Sequence, residues 1–107
     1  MRKHTLSAEV LSMFKDSFEY NPSTGVLRWK RSPAFNIKKG YIAGRLHTNG
    51  HLEVGICRKT YMVHHVIWAL THGKFPEATL VHINGNKRDN RLDNLTESGY
   101  GPAKKTN

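Results

Sequence analysis

Turn-forming residues punctuate this chain and set off short elements. Asn21-Pro-Ser-Thr-Gly25 separates Phe18-Glu-Tyr20 from Val26-Leu-Arg-Trp-Lys30, a pattern that predicts a β-hairpin. In its second strand Leu27 and Trp29 fall on one face and Arg28 and Lys30 on the other. Ser32 to Lys39 reads as a loop, and Lys39 to Gly44 starts a second set of strands. Asn49-Gly50 marks a tight turn before an alternating run. There Leu52, Val54 and Ile56 point inward, and His51 and Glu53 outward. Cys57-Arg-Lys59 turns the chain, and Thr60 to Val63 returns it.

Two segments carry helical spacing instead. Ser7 to Asp16 has a capping serine, Glu9 at the positive helix end, and Val10, Met13 and Phe14 as an apolar stripe. His64 to His72 packs Val66, Ile67 and Leu70, with Gly73 placed as a C-terminal cap and Pro76 barring continuation. Thr79-Leu-Val81 is a short β run ending at His82, and Asn84 to Arg88 is a polar loop. Asp89 caps a short helix in which Leu92 and Leu95 stand three apart. Gly99, Gly101 and Pro102 break up the tail. The expected architecture is α+β. Its 107 residues make one domain, with an N-terminal helix over 1–17 and the rest over 18–107.

Charge narrows the partners. Lys and Arg number 17 against 8 Asp and Glu, a balance of +9. No acidic residue lies between Glu19 and Glu53, where Arg28, Lys30, Arg31, Lys38, Lys39 and Arg45 are interleaved with Trp29, Phe35 and Tyr41. Such a strip suits a polyanion, because each cation that meets a phosphate releases a condensed counterion. A nucleic acid is therefore the expected partner. The longest apolar run, Val66 to Leu70, falls far short of the ~20 residues that span a bilayer, and no helix sets a basic face against a broad apolar one. No membrane partner is expected. Met1-Arg-Lys-His has no apolar run behind it, so no secretory signal is read there. The single Cys57 excludes an internal disulfide, and no C-x-x-C exists to hold zinc. The expected location is a reducing cytoplasm.

The most specific string is Val81-His-Ile-Asn-Gly85-Asn-Lys-Arg-Asp89-Asn90-Arg-Leu-Asp-Asn94-Leu95. It places a histidine at a strand end, then a polar loop, then a short helix carrying Asn94. This string resembles the ββα-metal (His-Me finger) core of the HNH endonucleases, in their small phage-type and homing branch. Tyr20-Asn-Pro-Ser-Thr-Gly25-Val-Leu-Arg-Trp29 and Tyr61-Met-Val-His64-His65-Val-Ile-Trp68 are similar to upstream segments of that branch. The resemblance runs from about Phe18 to Leu95.

It implies a division of labour. In such a site a divalent ion, Mg2+ or another, draws charge from the scissile phosphate while a neutral histidine takes a proton from water. By resemblance, His82 matches that base and Asn94 matches the asparagine that holds the histidine loop. Asp89, Asn90 and Arg91 match the start of the motif helix, and Arg88 and Arg91 would meet phosphates beside the cut. Two positions depart from the family. Its metal-binding Asp before the histidine is Val81 here, and its second ligand falls near Ala103. Valine and alanine give a hard cation no oxygen. Asp89, Asp93 or a backbone carbonyl would have to replace them, with Asn107 a distant substitute.

Other residues carry plainer expectations. Trp29 and Trp68 belong to the core rather than to base stacking, and Cys57 to a turn without chemistry. His64 is structural and His65 faces the surface or a phosphate, because neighbours on a helix point about 100° apart. Three functions follow. The first is a metal-dependent endonuclease that nicks or cuts DNA, or a catalytically impaired relative that still binds it. The second is a non-cleaving phage regulator or inhibitor that presents the basic scaffold to a host nucleic-acid enzyme. A small structural nucleoprotein explains the charge but not the string from His82 to Asn94.

Overall fold

The computed structural model describes residues 7–32 and 36–97. Helix α1 (Ala8–Ser17) starts where Ser7 Oγ accepts from the Val10 amide at 3.1 Å. It leads directly into β1 (Phe18–Asn21), which pairs antiparallel with β2 (Val26–Trp29) in a register that sets Phe18 opposite Trp29 and Tyr20 opposite Leu27. The segment after the loop runs along β2, where the Trp29 amide donates to the Tyr41 carbonyl at 2.9 Å and Arg28 bridges Ile42.

Strands β3 (Arg45–Leu46), β4 (Leu52–Ile56) and β5 (Lys59–Met62) form an antiparallel sheet. The turn between β4 and β5 holds both Cys57 and Arg58 at positive φ, as a two-residue hairpin turn requires. Helix α2 (Val63–His72) follows at once and ends on Gly73, whose left-handed backbone returns its amide to the Ala69 carbonyl. Strands β6 (Leu80–His82) and β7 (Leu95–Glu97) close the described chain as an antiparallel pair. The fold is α+β, with two helices and three small antiparallel sheets among the described residues.

The core is aromatic at its centre. Phe14 of α1 meets Tyr61 edge-on at 5.1 Å between ring centroids and lies 6.2 Å from Phe18, which packs 4.6 Å from Trp29. Val63, Val66 and Ile67 of α2, Leu27 of β2, Val54 of β4 and Leu95 of β7 complete it, so every sheet contributes. Trp29 is a core residue, and Trp68 packs against the core partly buried.

Two expectations fail. The short helix expected after Asp89 is a single 3-10 turn, Leu92–Asn94, and Leu95 begins β7 instead of sharing a helical face with Leu92. Leu95 is drawn into the strand because it pairs with His82. The Asn94 side chain meanwhile bonds the loop it faces, as described below. His51, expected outward, turns in with a buried ring nitrogen. The alternation of β4 does not reach it, because the turn His47–Gly50 resets the backbone just before it.

Candidate functional site

His82 ends β6. Strand alternation exposes Val81 to 40% and buries His82 to 6%. The His82 ring bonds through Nε2 to Asn90 Oδ1 at 2.7 Å. A carbonyl oxygen only accepts, so in the neutral ring Nε2 carries the proton and the lone pair is on Nδ1.

Asn90 is 1% exposed and is fixed from outside its own loop. Tyr20 Oη donates to its carbonyl at 2.6 Å. Gly25 lies against it so closely that a Cβ there would stand 2.7 Å from the Asn90 carbonyl carbon and 2.5 Å from the Arg91 nitrogen. The hairpin β1–β2 is thus the support on which the loop rests. Burial and the neighbouring carboxylates of Asp89 and Asp93 push the Tyr20 phenol up to about 12, so it stays a donor.

Asn94 ties the loop from the other side. Its Oδ1 accepts from the Asn84 amide at 2.9 Å, and its Nδ2 donates to Asn84 Oδ1 at 3.0 Å and to the Asp89 carbonyl at 2.9 Å. Asp89 receives Arg91 Nε at 2.8 Å, Arg91 Nη2 at 2.7 Å and Asn84 Nδ2 at 2.9 Å. The Arg91 bonds chiefly hold its carboxyl well below the usual range, so it is anionic but engaged.

Two further histidines converge on His82. His51 stands just before β4, His64 in the first turn of α2, and His82 at the end of β6. Their ring centroids lie 4.8 Å (His51–His64), 5.1 Å (His64–His82) and 5.4 Å (His51–His82) apart. One ring nitrogen from each lies within 4.8 Å of the others, a spacing at which one metal ion could be held. Nδ1 of His51 and Nδ1 of His64 are buried and bond no protein atom. A buried polar atom left so costs about 1–3 kcal/mol. Burial, more than the neighbouring imidazoles, pushes His64 down to about 3 and lowers His51, so both rings are neutral near pH 7.

Residues 61–98 match the family described as HNH endonuclease. Through this segment the chain is similar to the HNH endonucleases. Comparison with curated proteins and with solved structures gave no match.

The HNH segment holds His64, His82, Asn90 and Asn94, while Tyr20, Gly25 and His51 lie upstream of it. Members of this family work with a divalent cation. A hard ion such as Mg2+ does not fit the described side chains beside His82, because Val81 offers only methyl groups and Asp89 already accepts four hydrogen bonds. Asp93 sits exposed on the 3-10 turn, within electrostatic reach of Tyr20 and Arg91. Ala103 and Asn107 lie outside the described residues, as does Phe35.

The expected phosphate contacts are all exposed. Around the β1–β2 hairpin, Arg28 Nη1 donates to the Gly40 carbonyl at 2.9 Å and Lys30 Nζ to the Lys15 carbonyl at 2.8 Å. Arg31 shares a hollow of about 460 Å³ with Arg58 and Lys59 at the β4–β5 turn. Lys38 and Lys39 lie in the loop before β3, and Arg45 lies 3.8 Å from Glu53 across β3–β4. Arg88 and Arg91 stand on the HNH loop, and Arg91 is already paired with Asp89. A cation that the sequence did not single out, Lys87, donates to the Asn49 carbonyl at 2.9 Å and so ties this loop to the turn that delivers His51.

Proposed function

We propose that this protein binds DNA through its basic surface, in the manner of a phage-type HNH protein, and that its centre as it stands does not hydrolyse the strand it holds. The observation that carries this reading is the pair Val81–His82. His82 keeps the arrangement of a proton acceptor, with Nε2 fixed by Asn90 and the lone pair on Nδ1. Val81, where the family has its carboxylate, brings no side-chain oxygen. Proton transfer alone contributes roughly 10²–10⁴-fold, too little to open a phosphodiester whose charge is not neutralised. In this reading Asn94 and Asn90 position the histidine loop. Arg28, Lys30, Arg31, Lys38, Lys39, Arg45 and Arg88 meet phosphates, and Arg91 joins them only by leaving Asp89.

One observation favours a second reading, metal-dependent nicking: the bond from Nε2 to Asn90 sets the neutral ring in the tautomer a general base needs. Plasmid nicking with Mg2+ or Mn2+ separates the two. The expected result is no nicking by the native chain, nicking by Val81→Asp, and none by Val81→Asp combined with His82→Ala. Nicking by the native chain that His82→Ala abolishes would replace the first reading by the second. DNA affinity that does not respond to salt, with specific capture of a host nucleic-acid enzyme, would support the inhibitor role instead.

A further inference from the structure

We propose that His51, His64 and His82 form a binding site for one borderline transition-metal dication, Zn2+ or a similar ion such as Co2+ or Ni2+, separate in chemistry from any Mg2+ used to cleave DNA.

The donor set is the first argument. Three imidazoles and no carboxylate select ions that favour nitrogen over hard cations that demand oxygen. Convergence is the second. The rings come from the turn before β4, from helix α2 and from the end of β6, yet stand in a nearly equilateral triangle with sides of 4.8, 5.1 and 5.4 Å. A tetrahedral ion with metal–nitrogen bonds of ~2.0–2.1 Å keeps its donors roughly 3.4 Å apart. Donors within 4.8 Å reach that spacing by ring movements on the order of 1 Å.

The unpartnered atoms are the third argument. His64 is 5% exposed, and its Nδ1 has no protein partner, as is also true of His51 Nδ1. A metal ion would satisfy both. The fourth argument is the shell behind the ligands. A metal-bound histidine usually donates its remote N–H to a carbonyl oxygen, which fixes its tautomer, and Asn90 Oδ1 does this for His82.

Occupancy has a consequence that rests on the reading of His82 given above. Its free lone pair would be committed to the ion and no longer open to a water proton. The site would then be inhibitory in any form of the protein that cleaves.

The test is titration of the chelator-treated full chain with Co2+ followed by Zn2+ alone. One Co2+ per chain is expected, with the intense visible absorption of a low-coordinate nitrogen site, displaced by Zn2+ and indifferent to Mg2+. His51→Ala, a change at a partly exposed residue, is expected to weaken binding by at least ~100-fold, and Asn90→Ala by about 10–100-fold. His72→Ala, on the exposed end of α2, should leave it unchanged. Zn2+ should raise the melting temperature of the native chain but not of His51→Ala, and unfolding without metal checks that His51→Ala folds. Absence of stoichiometric binding, or binding that His51→Ala leaves intact, overturns the proposal. These readouts need no nuclease activity, so failure of cleavage in Val81→Asp would strike the functional reading and leave this one standing. In a cleaving variant, Zn2+ at one equivalent should suppress nicking, and undiminished nicking by the zinc-loaded form would overturn the inhibitory part.

Discussion

Tyr20 Oη donates to the carbonyl of Asn90 at 2.6 Å across 70 residues of sequence, and Asn90 in turn accepts from His82 Nε2 at 2.7 Å. The hairpin therefore orients the histidine at one remove.

Removing that support has two readable effects. Tyr20→Phe should destabilise the protein by about 1–3 kcal/mol, because the Asn90 carbonyl loses its donor in a buried place. It should also change behaviour in alkali. Burial raises the Tyr20 phenol from 10.0 to about 12 in the folded chain. A raised value means that the stabilising contribution is full below the unfolded value and is lost as pH climbs from about 10 through 12. Urea unfolding between pH 9 and 12 should show that loss in the native chain and a smaller one in Tyr20→Phe. Parallel curves would refute the link.

Gly25 and Gly73 share a left-handed backbone, with φ of 75° and 77°, but not a neighbourhood. Nothing lies within 4 Å of a Cβ at Gly73, whereas one at Gly25 would collide with the main chain of Asn90 and Arg91. Gly73→Ala should therefore lose about 1–2 kcal/mol, the strain of the left-handed region alone. Gly25→Ala should lose clearly more, on the order of 3 kcal/mol or above, and should shift the His82 ring signals in NMR. Equal losses would mean that the hairpin does not carry the loop.

Asn94 makes three bonds within one loop, and its side chain is almost fully enclosed. Asn94→Ala should destabilise by about 2–4 kcal/mol, since it also strands the Asn84 amide and the Asp89 carbonyl. Hydrogen exchange should accelerate first at Asn84, whose amide proton Asn94 covers. Unchanged protection there would contradict the assigned role.

DNA affinity should fall with salt at a log–log slope of about −4.5 if five phosphates are neutralised. The guanidinium of Arg88 has no ion-pair partner among the described residues, and Arg88→Ala should reduce that slope by about 0.9. Arg91 is already neutralised by Asp89, so Arg91→Ala should leave the slope nearly unchanged. Filter-binding or fluorescence titrations over a salt series decide this, and equal reductions would place Arg91 on a phosphate.

Local order was legible in the sequence wherever neighbours decide it. Ser7 and Gly73 mark the ends of two helices through caps that involve only adjacent turns, and the residues of Asn21-Pro-Ser-Thr-Gly25 name their own hairpin. His82 and Asn94 were visible through the motif, and so was the missing oxygen at Val81. Contacts between distant segments left no such trace. The spacing of His51, His64 and His82 follows no period, so their meeting depends on how β4, α2 and β6 pack. His51 was misread because alternation was extended one residue past the strand that imposes it. Asn90 was read as a helix-start residue, since nothing in its neighbours announces a tyrosine from another hairpin. The 3-10 turn was taken for a helix because Leu92 and Leu95 fit helical spacing, while the strand pairing that claims Leu95 is non-local.

Among the described residues none of the three sheets shares a strand with another, so no continuous hydrogen-bonded ladder there holds the histidines in relation to each other. Their alignment is kept by interlocking side chains around Phe14 and by single bonds such as those of Tyr20 and Lys87. A centre assembled in this way behaves like a keystone arch, and slack introduced far away in the aromatic interior would be felt at the imidazoles before the domain itself gave way.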